Sequence, residues 1–312
     1  MNYKEFSKKW DKGAKAFLIE TSGSTGTPKE MILERRKLLW SAEQSLKYLP
    51  SKPNLINCCL PTNKVGGFMQ IVRAKVWDVP FYKAAVSANP KLNEKVVGSS
   101  ISLTPLQLYN IQNSRKSLEF LEKAHSILIG GGVIGFDIVD SIKPILFHTY
   151  GMTETYSHIA IRRMDDDYFK PIDGVDFGIN EEGCLKIKCF LTNDLWMQTN
   201  DLCVLQNEGF QILGRADNVI NTGGLKLHSE VLEAEIIKQN PHAYNGFFVA
   251  GILDKVLGEK AVLVKRQGLE IDLVSVQFKN LNYIKSQIEI EELVFTQTQK
   301  IDRRKSLEAA GL

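Results

Sequence analysis

Residues 17–30 read Phe17-Leu-Ile-Glu-Thr-Ser-Gly-Ser-Thr-Gly-Thr-Pro-Lys-Glu30, a short apolar run that stops at a loop of hydroxyls, glycines and one lysine. Phe17 to Ile19 predicts a buried strand. In the loop, Ser22, Ser24 and Thr25 add hydroxyl donors, Gly23 and Gly26 let backbone N–H groups close on an anion, and Lys29 brings a mobile positive charge. A polyphosphate needs that combination. The spacing of a Walker loop is absent, and Pro28 stands before the lysine. An ordinary Ser/Gly/Thr-rich turn has the same composition, so the choice falls to the rest of the chain.

The 312 residues suffice for a substantial core and for two domains. Apolar residues make up 44% and charged residues 24%, as in ordinary globular proteins, and a net charge of +3 gives no field for nucleic acid. The N-terminus lacks the apolar core of a signal peptide, and no apolar run approaches membrane-spanning length. Cysteines 58, 59, 184, 189 and 203 show no C-x-x-C spacing, which suits buried thiols in a reducing cytoplasm. A soluble cytoplasmic protein is expected.

Beyond the loop, helical spacing over 33–48 ends at Pro50, and Leu55 to Leu60 predicts a strand closed by Pro61. A turn over 62–69 leads to a helix from Met69 to Val76. From position alone, Lys64 and Arg73 read as solvated charges. Ser100 to Leu103 and Ala124 to Ile129 predict strands, with a proline-initiated helix after Thr104 and a helix over Phe136 to Ile142. Pro144 to His148 predicts a strand leading into Thr149-Tyr-Gly-Met-Thr-Glu-Thr155. This strand–loop–helix order argues for an α/β layer architecture with ligand groups on loops at strand ends. From about 159 to 213 short alternating strands take over. A helix from Ser229 to Gln239 follows, with Ser229 as N-cap. Strands at 246–253 and 260–265, a helix around 273–280 and a strand near 292–295 complete the tail.

Seven stretches, in order, then carry a resemblance. They are Thr21-Ser-Gly-Ser-Thr-Gly-Thr-Pro-Lys29, Gly130-Gly-Gly132, Tyr150-Gly-Met-Thr-Glu-Thr155, Thr199-Asn-Asp201, Gly214-Arg-Ala-Asp217, Gly223-Gly224 and Lys300-Ile-Asp-Arg-Arg304. Together they resemble the adenylate-forming superfamily of acyl- and aryl-CoA ligases, luciferases and peptide-synthetase adenylation domains. Within it, Leu60-Pro-Thr-Asn-Lys-Val-Gly-Gly67, Val72-Arg-Ala74 and Gly223-Gly-Leu-Lys-Leu-His-Ser-Glu-Val-Leu-Glu233 are most similar to the o-succinylbenzoate–CoA ligases of menaquinone biosynthesis.

The resemblance implies an α/β fold. Residues 1–214 would form a large AMP-binding domain, shortened at its N-terminus, with helix-flanked sheets and a small β subdomain. Residues 215–312 would form a small mobile α+β domain. It implies that a carboxylate attacks the α-phosphate of ATP, and that the thiol of coenzyme A then attacks the acyl-adenylate. Ser22, Gly23, Ser24, Thr25, Gly26, Thr27 and Lys29 would hold the β- and γ-phosphates. Thr153 would touch the α-phosphate, and Glu154 would bind Mg²⁺. Tyr150 and Gly151 would border adenine, with Gly131 and Gly132 opposite, and Asp201 and Arg215 would take the ribose hydroxyls. Lys300 matches the catalytic lysine and Asp217 the hinge, while Gly224 and Lys226 would face coenzyme A. Lys64, Arg73 and His148 would give the acyl pocket positive charge for an aromatic dicarboxylate. Asn200 replaces a usual glycine, and Thr296-Gln-Thr-Gln299 replaces the usual run before the lysine. Another aryl or acyl acid, a carrier-protein acceptor, or a nucleotide-binding homologue without catalysis are the competing readings.

Overall fold

The computed structural model describes residues 2–20, 30–206, 208–274, 276, 278–296 and 299–312. The expected phosphate loop at 21–29 therefore lies outside the described residues, and with it Ser22, Gly23, Ser24, Thr25, Gly26, Thr27 and Lys29. Its flanks are described. Helix α1 (Tyr3–Asp11) precedes strands β1 (Ala16–Glu20) and β2 (Glu30–Glu34), which pair antiparallel from Ala16↔Glu34 to Glu20↔Glu30. The predicted strand at 17–19 is thus one arm of a hairpin. Phe17 packs with Phe6, Trp10 and Phe68, so α1 anchors that arm to the core.

Helices α2 (Arg35–Lys47) and α3 (Val65–Val76) alternate with strands β3 (Leu55–Cys58), β4 (Phe81–Lys83) and β5 (Ser99–Leu103). Helices α4 (Pro105–Gln112) and α5 (Arg115–Leu121) come next, then β6 (Ser126–Ile129), β7 (Leu146–Gly151), β8 (His158–Arg162) and β9 (Lys170–Pro171). These strands form a seven-stranded sheet in the order β4-β3-β5-β6-β7-β8-β9. From β4 to β7 every pairing is parallel; β8 and β9 are antiparallel. All five residues of β5 are buried, as in a sheet covered on both faces. Thr104 and Gln107 close a reciprocal capping box at the start of α4, which Pro105 opens as expected.

A four-stranded antiparallel sheet follows, from β10 (Val175–Ile179), β11 (Cys184–Cys189), β12 (Met197–Gln206) and β13 (Gly209–Arg215). The separate strands expected within 196–206 are one strand with a register shift at Leu202/Cys203. The last sheet has five strands: β14 (Val219–Thr222), β15 (Leu225–His228), β16 (Phe247–Asp254), β17 (Gly258–Arg266) and β18 (Ile284–Ile290). Helices α6 (Ser229–Gln239) and α7 (Arg303–Ala309) accompany it. All five cysteines are buried and free. Among the described residues no helix is long and apolar enough to cross a membrane.

Several expectations are corrected. Helix α3 starts at Val65, four residues before Met69, because the Phe68 amide already closes a turn on the Lys64 carbonyl at 2.9 Å. Residues 136–142 are not an α-helix: Phe136 and Ile138 are buried in an irregular segment, and a 3-10 turn runs Asp140–Ile145 around Pro144. His228, not Ser229, is the N-cap of α6; the Ser229 hydroxyl donates instead to the Asn218 carbonyl. Among the described residues of 273–280 no α-helix forms and a 3-10 turn runs over Lys279–Tyr283, while the last strand among the described residues is Ile284–Ile290, parallel to β17. Near 292–295 only a bridge between Phe295 and Ile301 remains.

Candidate functional site

Five neighbouring strands with parallel pairings deliver their carboxyl ends to one edge of the sheet, where an open α/β sheet leaves a crevice for ligands. After β3 come Pro61 to Lys64, after β5 Thr104, after β6 Gly130 to Gly132, and after β7 the segment 152–157. Gly131 has φ +83°, a backbone region that favours glycine. At Gly151 a Cβ would stand 2.1 Å from the Ser157 carbonyl oxygen, so the segment doubles back against its own strand end.

That fold-back is held from inside. The buried Thr155 hydroxyl accepts from the Met152 amide at 3.0 Å and lies 2.8 Å from the Ser157 carbonyl. Tyr156 takes φ +63°, unusual for a bulky residue, and its ring is buried. Its hydroxyl accepts from the Glu34 amide at 3.2 Å, tying the segment to β2 beside the phosphate-loop flanks. Thr153 is partly accessible and Glu154 exposed. Among the described residues no group of three or more His, Cys, Asp or Glu could hold a metal.

Next to the end of β7, β12 and β13 pair Asp201 with Arg215. The Tyr150 hydroxyl donates to Asp201 Oδ2 at 2.5 Å, and its ring sits edge-on to Phe210. Burial and the Asp201 charge both raise the Tyr150 pKa, so the phenol stays protonated. Arg215 lies 3.5 Å from Asp201 and 2.8 Å from Asp217. Asn200 Nδ2 donates to Asp217 Oδ1 at 3.3 Å, so the residue standing at a usual glycine position holds the expected hinge. Lys300 is exposed, and Asp201 and Arg215 are the charged groups that act on its ammonium. Desolvation lowers its pKa; Asp201 pulls it back up and Arg215 pushes it down. The structure thus joins Tyr150, Asp201, Arg215 and Asp217 by direct contacts, with Lys300 in electrostatic range of Asp201 and Arg215.

Of the three expected acyl-pocket cations, His148 is neutral, and Lys64 and Arg73 are buried, at 9% and 2% exposure, not solvated. They stand nine residues apart on or beside α3, roughly 13 Å at 1.5 Å per residue. Arg73 Nη2 donates to Ser157 Oγ at 2.7 Å, Ser45 Oγ at 3.3 Å and His158 Nδ1 at 3.2 Å, and Nε is buried without a partner. Among the described residues no carboxylate answers this guanidinium, and burial lowers its pKa to about 10. His148 is no cation. Burial, then the nearby Arg162, push its pKa down to about 3. Arg162, paired with His148 across β7 and β8, carried no signal in the sequence because only the strand register makes them neighbours.

Gly223 and Gly224, at φ +56° and +84°, form the turn between β14 and β15, and Lys226 is exposed on β15. The turn contacts Leu257 within its own sheet, the Gly223 amide donating to the Leu257 carbonyl at 2.9 Å.

No family model matches the chain. A crystal structure from Dyadobacter fermentans, described as an acyl-CoA synthetase (AMP-forming)/AMP-acid ligase II-like protein, is 30% identical with a TM-score of 0.60. That match covers 97% of this chain and 92% of the other. The o-succinylbenzoate–CoA synthetase of Bacillus subtilis, solved with ATP and a magnesium ion, is 19% identical and shares the fold at a TM-score of 0.74, over 93% of this chain and 69% of its own. The 2-succinylbenzoate–CoA ligases of Salmonella typhimurium and Escherichia coli are 28% and 27% identical over 269 residues, 78% of this chain. The chain spans about half the length of these curated relatives, 56% and 57% respectively.

Proposed function

Because the chain belongs to the AMP-forming acyl-CoA synthetase and AMP-acid ligase II-like family, we propose that it activates a carboxylic acid with ATP and transfers the acyl group to coenzyme A. The observation that carries this reading is the chain of contacts Tyr150–Asp201–Arg215 beside the carboxyl end of β7, with Lys300 in electrostatic range of Asp201 and Arg215. A carboxylate oxygen attacks the α-phosphorus and pyrophosphate leaves; the coenzyme A sulfur then attacks the acyl carbon and AMP leaves. The first step concentrates negative charge, and fixed donors and cations stabilise it. Lys300 bridges the ribose and the reacting carboxylate, Asp201 and Arg215 hold the ribose hydroxyls, Thr153 touches the α-phosphate, and Ser22 to Lys29 take the outer phosphates. Glu154 suits Mg²⁺, which binds through one or two carboxylates together with substrate phosphates. The ion would neutralise charge on the phosphates.

Residues 1–214 and 215–312 act as two domains about Asp217, the second turning after adenylation to bring Gly224 and Lys226 to coenzyme A. The acid we favour is o-succinylbenzoate. Relatives of that name support it, as does Arg73, a buried guanidinium that a second carboxylate would answer. Lys64, beside the end of β3, is the second candidate contact; His148, being neutral, is withdrawn from that role.

Pyrophosphate release from ATP with o-succinylbenzoate, followed by thioester formation on adding coenzyme A, tests the reading. A charge-assisted contact is worth about 1.5–3 kcal/mol. Lys64→Met should therefore raise KM for o-succinylbenzoate by roughly ten- to a hundredfold and leave a matched monocarboxylate within about threefold. Equal effects on both acids would remove the second carboxylate from the reading. No pyrophosphate release with any aromatic or aliphatic acid would remove adenylation itself.

A further inference from the structure

We propose that His148 is a positioning residue for the adenine side of the site, acting by holding the Gly132 carbonyl; this rests on the nucleotide reading above. The imidazole is 3% exposed and uses both ring nitrogens. Arg162 Nε lies 3.1 Å from Nδ1, and a guanidinium can only donate, so Nδ1 is the acceptor. The ring proton therefore sits on Nε2, which donates to the Gly132 carbonyl at 3.0 Å. Arg162 is itself fixed by Nη1 on the Asp167 carbonyl at 3.2 Å and by its place over the Phe169 ring. Phe169 also packs edge-on to His148, with centroids 4.9 Å apart.

The chain Asp167–Arg162–His148–Gly132 thus selects one tautomer and ends on the glycine segment at the carboxyl end of β6. Gly131, at φ +83° with open space where a Cβ would be, can turn freely unless its neighbour is tied. A trans peptide points its N–H opposite to its carbonyl. Holding the Gly132 carbonyl against His148 therefore aims the Val133 N–H away from the ring, on a residue that is itself 46% exposed. The chemical class served is an adenine nucleotide, and the part served is its base.

Calorimetric Kd values for ATP, AMP and tripolyphosphate test this on three proteins. In His148→Gln the amide nitrogen reaches the Nε2 position and keeps the donor to Gly132; in His148→Asn the side chain reaches only Nδ1. Gln should bind ATP and AMP within about threefold of the natural protein. Asn should weaken both by about tenfold and by the same factor, with tripolyphosphate unchanged. Arg162→Gln, which releases the tautomer, should weaken AMP likewise, and it serves as the second variant if His148→Asn does not fold. A ¹⁵N spectrum of the natural protein should show the Nε2–H tautomer. Equal affinities for Asn and Gln, or a loss shared by tripolyphosphate, overturns the proposal. A natural protein that binds no ATP overturns the nucleotide reading instead, so the two failures are distinguishable.

Discussion

His148 and His158 hold opposite ends of β8 in place while carrying no charge. His158 is wedged between Ser45 Oγ at 3.0 Å and Arg73 at 3.2 Å; burial first, then Arg73, keeps its pKa well below the usual value. His148 is lowered to about 3. Unfolded, both take up a proton near pH 6.5, so in the window from there down to about 3 the unfolded chain binds more protons than the folded one. Stability is therefore fully present above pH 6.5 and is lost as pH falls, by about 1.4 kcal/mol per pH unit for each group. Urea unfolding at pH 6.5, 5.5 and 4.5 should show this slope, and His148→Gln should remove about one group's share. An unchanged slope in that variant would mean that the imidazole charges in the folded state. The sequence reading gave His148 a positive charge that the folded chain denies it, because burial and Arg162 come from tertiary structure.

At the scale of elements, legibility followed local chemistry. Helix α4 was readable from Thr104-Pro105, whose capping box and first-turn proline are local signals. The segment 136–142 was not, since Phe136 and Ile138 are apolar for a reason outside their own element: Gly135 lies 3.5 Å from Ile237 of α6, measured from where its Cβ would be. The same holds for the staple joining α6, β16 and α7. Arg303 Nη2 donates to Glu233 Oε2 at 2.8 Å and Nη1 to the Val249 carbonyl at 2.7 Å, while Glu233 Oε1 accepts from the Val249 amide. Burial pushes the Glu233 carboxyl up to about 7, offset in part by Arg303. Its sign opposes the histidines: between about pH 4.5 and 7 the folded chain holds the extra proton, and stability falls as pH rises. Removing one partner of a fully buried pair costs about 3–5 kcal/mol; these side chains are 21% and 16% exposed, so the lower end, about 3 kcal/mol, applies. Arg303→Met should cost that much in chemical denaturation at pH 8, and Arg303→Met with Glu233→Leu should recover most of it. A double variant no better than the single would show that the guanidinium acts through the Val249 carbonyl and Glu230, 3.5 Å away, rather than through Glu233.

Across the whole molecule, one apolar cluster ignores the boundary at 214/215 that the sequence suggested. It runs from Leu103, Leu108, Phe136 and Ile138 into Leu232, Ile236, Ala243 and Phe247 without a break. Tyr244 packs on Tyr109 and Phe136 with centroids 5.1 and 4.9 Å apart, joining the loop after α6 to α4 and the segment before β7. This packing accompanies the arrangement in which Lys300 stands near Asp201. If the small domain turns between the two half-reactions, these ring contacts must break, and each is worth about 0.5–1.5 kcal/mol beyond its buried area. Losing both shifts the balance by about 1–3 kcal/mol, roughly five- to a hundredfold, against the orientation with Lys300 inward. Tyr244→Ala should therefore slow ATP-dependent pyrophosphate release while thioester formation from a pre-made acyl-adenylate holds or rises. Lys300→Ala should abolish the first half-reaction and spare the second, with the small domain's orientation undisturbed. Stopped-flow measurement of both half-reactions separates the two effects. Equal slowing of both steps in Tyr244→Ala would reduce the triad to ordinary packing, and equal losses in Lys300→Ala would take the lysine out of the adenylation step.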